Sequence, residues 1–249
     1  MSGPEQRLGF WYRVVAAIVR PTMIALSRRD WRGTEHLPPV GSGVVVSPNH
    51  VSYIDPLTFA HFLWDNGRAP RYLAKEGVFR APVVGRIIAA CGQIPVYRDT
   101  RQAVGAYRDA VAAVERGECV GIYPEGTITR DPGLWPMAGR TGAARVALAT
   151  GCPVIPVAQW GPERLLPPYA KVPRPFPRKT VRVSAGPPVD LDDLRDRPLT
   201  KEVLHEATDR IVDAITAELA KLRGEVPPAT RLDLRADGTA QDDETEEDP

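Results

Sequence analysis

The sequence predicts an α/β fold: a single domain with a central mostly parallel or mixed sheet flanked by helices. Three observations carry this. Short β-branched or apolar runs recur along the chain, "SGVVVS" (42–47), "CVGIYP" (119–124) and "CPVIPVAQW" (152–160), each of a length that suits a buried strand. Between them lie stretches with apolar residues at helical spacing, the alternation expected of a sheet covered on both faces. The chain has 249 residues and is 43% hydrophobic, enough for one sizeable core.

The elements follow in order. Residues 1–32 are expected to form an amphipathic helical, membrane-docking region, carried by "LGFWYRVVAAIVRPTMIALSRR" (8–29). Its apolar run Val14–Val19 lies between Arg13 and Arg20 and is too short to span a bilayer, which needs about 20 residues. The two arginines fall on one side of a helix, while Phe10, Trp11, Val14, Val15 and Ile18 can face elsewhere, as at a headgroup boundary. The plainer reading is a helix packed on its own domain with its arginines in water.

The domain proper is expected over 33–223. After strand 42–47, Asp55 and Pro56 read as an N-cap followed by the first residue of a helix through 64. "RYLAKEGVF" (71–79) begins as a strand and turns helical towards Ile88. "CGQIPVYR" (91–98) is a strand interrupted by Pro95, hence an edge or a bulge. Val104, Tyr107, Val111 and Val114 mark a helix over 100–116, with Thr100 as cap and Gly117 as stop. A helix over 140–150 stops at Gly151, strand 152–160 follows, and the segment 161–179, rich in proline and basic residues, reads as a stiff cationic loop. Strand 179–185 precedes the clearest helix, 200–222, which Thr200 caps and which Val203, Ala207, Ile211, Ile215, Leu219 and Leu222 line on one face.

Residues 224–249 read as a disordered acidic tail, because so few apolar side chains cannot offset the entropy of ordering. From 225 onward nine acidic residues stand against Arg231 and Arg235, so the tail carries −7 and residues 1–224 carry +8. A basic body suits an anionic partner such as phosphate, an acidic lipid surface or nucleic acid. Cys91, Cys119 and Cys152 are odd in number, far apart and not at metal-ligand spacing with any histidine. They read as buried thiols, with neither disulfide nor metal expected.

The stretch "SPNHVSYIDP" (47–56) holds one of only four histidines. His50 and Asp55 cannot meet on a straight helix, where five residues turn through about 140°. A turn between strand 42–47 and the next helix can bring them together, at the carboxyl end of a strand, where ligands collect in open α/β sheets. A carboxylate there accepts the imidazole Nδ1–H and leaves Nε2 free to take a proton. By itself the pair fits a helix cap beside a satisfied turn histidine equally well.

Three further stretches add to it: "GQIPVYR" (92–98), "YPEGTITR" (123–130) and "CPVIPVAQWG" (152–161). In this order they resemble the glycerolipid acyltransferase family, the lysophosphatidate (1-acyl-sn-glycerol-3-phosphate) acyltransferases. Its four blocks, NHxxxxD, GxxxxxR, [FY]PEGT and a VxPV-type strand, all occur here within 49–157. The resemblance implies transfer of a fatty acyl group from acyl-CoA or acyl-carrier protein to the free hydroxyl of 1-acylglycerol 3-phosphate. His50 is then the general base and Asp55 its orienting partner. Asn49, grouped with the substrate-binding residues, matches the first letter of its block and is expected to support the turn; Glu125, Gly126 and Thr127 match the third block, which helps to form the acceptor site, and Arg98 matches the phosphate-binding arginine. Lys75 resembles a lysine near that phosphate.

The chain departs from the pattern at Ile128, where the family places an arginine directly after the threonine; Arg130 or another base is left to fill that role. Pro95 replaces an aromatic residue in the second block. The resemblance further implies no cofactor, no metal and no nucleic acid, and a peripheral place on the cytoplasmic face of an anionic membrane. Three alternatives remain: transfer to glycerol 3-phosphate or another lipid hydroxyl, an ester hydrolase using Ser47 or Ser52, and a non-catalytic membrane adaptor using Arg20 and the basic loop.

Overall fold

The structure, a computed structural model, describes residues 8–96 and 100–234. The chain opens with helix α1 (Phe10–Leu26) and strand β1 (Ser27–Arg32), then runs through β2 (Val44–Pro48), α2 (Asp55–Asp65) and β3 (Pro70–Lys75). Two short helices, α3 (Glu76–Arg80) and α4 (Val84–Ala90), lead to β4 (Ile94–Val96), α5 (Thr100–Glu115) and β5 (Cys119–Gly121). Then come α6 (Gly142–Thr150), β6 (Val154–Trp160), α7 (Pro162–Leu165), β7 (Lys179–Ala185), α8 (Asp192–Arg195) and α9 (Lys201–Arg223).

The strands form one sheet in the order β1-β7-β6-β2-β5-β3-β4. β2 pairs in parallel with β5 and β6, and β3 with β5 and β4. β7 runs antiparallel to β6 and carries β1 parallel to itself. The sheet is therefore mixed. The loops that follow β2, β3, β5 and β6 all leave from the same edge, and these are the loops that hold the motifs.

Val44, Val45 and Val46 are all fully buried, because β2 is central and covered on both faces. One face meets α5, α6 and α9 through Val45, Val120, Ala147, Ile211 and Ile215. The other meets α2 through Val44, Val46, Phe59, Phe62 and Val183. α9 buries all six residues expected on its apolar face, and the Thr200 hydroxyl accepts the Val203 amide as its cap. β4, with Pro95, is an edge strand, where a missing amide costs no ladder bond. The three cysteines are buried and free.

Several expectations need correction. β1, "SRRDWR", has no strand-like pattern; its pairing with β7 and the packing of Trp31 on Phe62 and His61 make it a strand. Asp55 is the first residue of α2, not its cap, and its carboxylate turns back onto the preceding loop. The helical stretch after Lys75 breaks into α3 and α4 around Pro82 and Val83, the latter at φ 64°. The tail does not leave the body at 224. Ala138 N donates to Leu232 O, and Arg231 reaches Asp209 and Asp213 on α9, so the body continues to 234. The remainder of the tail lies outside the described residues.

Leu8, just before α1, and Tyr12 within it pack against Ala69 and Cys91, and the Tyr12 hydroxyl donates to Pro70 O. Arg20 is half-buried and paired: its Nε lies 3.0 Å from Asp65 Oδ1. Asp65 Oδ2 also accepts Arg29 Nη1 at 2.8 Å and the Trp31 indole N–H at 3.2 Å. One carboxylate thus joins α1, β1 and α2. The opposite face of α1 leaves Phe10 71% and Ile18 62% exposed, with Trp11 beside them. Among the described residues, no helix is long and apolar enough to cross a membrane.

Asp65→Ala leaves two arginines and an indole donor without their acceptor. The expected loss is about 1–2 kcal/mol in urea denaturation, since the arginines are only part-buried. Amide exchange should quicken in α1 more than in β2.

Candidate active site

The site grows from the end of β2. Asn49 is buried, and its side chain is spent on β6: Nδ2 donates to Gln159 O at 3.1 Å and Oδ1 accepts Gln159 N at 2.7 Å. Gln159 Nε2 returns a bond to Asn49 O at 3.3 Å, and the Thr58 hydroxyl donates to Gln159 Oε1. Asn49 therefore fixes where the chain leaves the sheet. A polar Gln in an otherwise apolar strand was the signal for this lock.

His50 follows directly. Its Nδ1 lies 3.0 Å from Asp55 Oδ2, and the same oxygen accepts Val51 N at 2.6 Å and Ser52 N at 2.9 Å. Asp55 is fully buried, while the His50 side chain keeps 17% of its surface exposed. A carboxylate oxygen that already accepts two amides asks for a donor from the ring. The proton therefore sits on Nδ1, and Nε2 keeps its lone pair. The ring also packs on Tyr123, centroids 4.5 Å apart. Burial alone would lower the pKa of His50. The charge and hydrogen bond of Asp55, with a smaller contribution from Glu125, outweigh it and hold the ring above its ordinary value.

The third block supports His50 from the other side. Glu125 is buried, with Oε1 accepting His50 N and Oε2 accepting Met137 N, each at 3.0 Å. Each oxygen accepts a main-chain amide, one of them that of His50, so Glu125 positions His50. Burial pushes its pKa up to about 7 against the pull of those amides. Thr129 N donates to His50 O at 2.8 Å, which closes the clamp. Gly126 is exposed at φ 70°, Thr127 is half-buried, and Ile128 is buried.

The expected cations are only partly assembled. Lys75, exposed at the end of β3, acts on His50 by its charge and lowers the ring's pKa, so it faces the same edge. Arg130 is half-buried in the loop after Thr129, with its amide against Met137 Sδ. Arg98 lies outside the described residues. A residue not anticipated is Arg140, whose backbone N donates to Pro124 O at 2.7 Å.

The proline-rich loop walls the same edge. Ser52 donates to Leu166 O, Tyr169 donates to Ile128 O, and Tyr53 meets Tyr169 edge-on. Ser52 and Ser47 are both buried and hydrogen-bonded to main-chain carbonyls, so neither presents a nucleophile. A cleft of about 280 Å³ opens at the other end of the sheet, beside Arg71, Gln93, Asp109, Arg116 and Glu118. Its arginines share Glu118, so they offer no free anion site.

The family model described as Acyltransferase matches residues 28–160, which run from β1 to the end of β6 and include the whole His50 clamp. The chain belongs to the acyltransferase family. Similar proteins are 1-acyl-sn-glycerol-3-phosphate acyltransferases from Brassica napus chloroplasts (32% identical, 56% of this chain and 39% of that protein) and from Borreliella burgdorferi (33%, 50% and 48%). One from Neisseria meningitidis is 26% identical over 72% of each chain. The chain spans less than half the length of the first two of these acyltransferases. Its fold matches the crystal structure of the 1-acyl-sn-glycerophosphate acyltransferase of Thermotoga maritima. The TM-score is 0.62 at 21% identity, covering 87% of this chain and 81% of that one.

In this acyltransferase domain, Glu125→Gln leaves one backbone amide facing an NH₂ group. An unsatisfied buried donor costs about 1–3 kcal/mol, so chemical denaturation should show a loss of that size. Turnover should fall with it, while KM for the acceptor stays near the wild-type value. A selective rise in KM would return Glu125 to the acceptor site.

Proposed function

We propose that this protein transfers a fatty acyl group from acyl-CoA or acyl-carrier protein to the free hydroxyl of 1-acylglycerol 3-phosphate, forming phosphatidate. The observation that carries this reading is the 3.0 Å His50–Asp55 pair at the end of the central strand, and the names of the relatives support the substrate class. In the reaction His50 Nε2 takes the hydroxyl proton as the oxygen attacks the thioester carbonyl. The tetrahedral oxyanion then collapses, the carbon–sulfur bond breaks, and the leaving thiolate receives the proton from the imidazolium. Such general-base assistance contributes about 10²–10⁴-fold. The thioester brings its own activation, so two substrates and these side chains suffice. Lys75, Arg98 and Arg130 are assigned to the acceptor's phosphate, for which guanidinium groups offer paired hydrogen bonds.

The lipid acceptor calls for a membrane surface. α1 supplies Phe10, Trp11 and Ile18 on its outer face. The loop after α7 exposes Val172 and Phe176 beside Lys171 and Arg174. Arg178 ties this loop to α1 by donating to Ile24 O and Ser27 O at the helix end. An apolar surface interspersed with cations suits an anionic bilayer, and a peripheral position on its cytoplasmic face matches both substrates. Arg20 belongs to the Asp65 junction and takes no part.

His50→Ala should reduce kcat about 10²–10⁴-fold in a radiolabelled acyl-CoA assay, with unchanged binding to vesicles; normal turnover would end the general-base assignment. In the wild type, kcat/KM should rise with an acid limb above pH 6.5, because the base must be neutral and Asp55 raises its pKa. Asp55→Asn removes that influence, so its much slower reaction should show the limb at lower pH. Phe10→Glu with Ile18→Glu should weaken co-sedimentation with anionic vesicles while leaving turnover of a detergent-dispersed acceptor intact.

A further inference from the structure

We infer that Arg140 binds the phosphate monoester of the acceptor, supplying the cation that Ile128 cannot. This rests on the reaction proposed above and adds a binding residue to it. Ile128 is apolar and 2% exposed, so the position after Thr127 presents no charge to the site. The chain restores one from twelve residues further on. Arg140 N is bonded to Pro124 O, which places the residue at the carboxyl end of β5. Its side chain lies against Gly126: a Cβ built on that glycine would stand 3.0 Å from Arg140 Nε and 3.8 Å from Cζ.

The sheet order gives this position its meaning. β5 lies between β2 and β3, so Gly126 stands between His50, past the end of β2, and Lys75, at the end of β3. A guanidinium resting on Gly126 therefore lies at the same edge of the sheet as the general base and Lys75, the cation whose charge acts on the ring. Arg140 is exposed, and among the described residues its guanidinium has no carboxylate partner. Arg71 and Arg116, at the other end of the sheet, are neutralised by Glu118. Gly126 stands at φ 70°, which favours glycine in any case, and a Cβ there would crowd the arginine.

The test compares wild type with Arg140→Gln and Arg140→Lys. Losing a hydrogen bond to a charged group should raise KM for 1-acylglycerol 3-phosphate about ten- to a hundredfold in Arg140→Gln. KM for a monoacylglycerol, which lacks the phosphate, should not move, nor should kcat or KM for acyl-CoA. Arg140→Lys should recover part of the loss. Thermal unfolding should match wild type, because the side chain is exposed. Unchanged KM for the phosphate acceptor would overturn the inference, as would a rise confined to acyl-CoA, which carries its own phosphates. Calorimetric titration with glycerol 3-phosphate needs no turnover and separates this from the activity. Binding lost only in Arg140→Gln supports the assignment even in a protein that fails to acylate lysophosphatidate; equal binding by both proteins refutes it.

Discussion

One carboxylate oxygen organises this end of the molecule. Asp55 Oδ2 accepts two consecutive main-chain amides and the ring of His50. The amides fold the six-residue connection between β2 and α2 into a turn, and the ring is the third donor of the same turn. Fold and chemistry therefore share an atom: the interaction that starts α2 is also the one that sets the imidazole's tautomer. Pro56 fits this arrangement, since a first-turn residue needs no amide donor.

The turn is held from both sides by neighbouring strands. β6 provides Gln159, which closes on Asn49, and the loop after β5 provides Glu125 and Thr129, which take the amide and carbonyl of His50. Residues 49 and 50 thus have main-chain or side-chain bonds to both strands that flank β2. This explains why separate motifs, up to 110 residues apart, are needed to place one ring. A group whose backbone is fixed on two sides loses little further freedom when it reacts, which is the structural form of preorganisation.

Much of this could be read from residue order. The β-branched runs gave the strands because central parallel strands need apolar residues on both faces. The helix 201–223 was legible in its period and its Thr200 cap. The pairing of His50 with Asp55 followed from the prolines and the turn they impose. What could not be read depended on long-range pairing. β1 has the composition of a loop and becomes a strand only beside β7. Glu125 and Asn49 carry the residue types of ligand contacts, and only the fold reveals that both oxygens of Glu125 accept main-chain amides. Arg140 lies in a stretch, "MAGRTG", that has no periodic pattern, and its nearness to Gly126 depends on one bond to Pro124.

The protonation states impose a last constraint. Glu125 has a folded pKa near 7, above its unfolded value of 4.5, so the folded protein binds more protons between those limits and loses stability as pH rises through them. His50 is also raised above 6.5, so its favourable contribution is complete below that value and is lost as pH rises through the folded pKa. Both groups stabilise the fold more on the acid side, Glu125 because protonation relieves the burial of its charge. General-base catalysis needs the opposite, a neutral imidazole. The site must therefore work where these two groups contribute least to the stability of the fold, and the neutral bonds have to keep its geometry there. The Asn49–Gln159 lock and the Thr129–His50 bond do not titrate, and this is why the ring's position can survive the pH at which the ring becomes active.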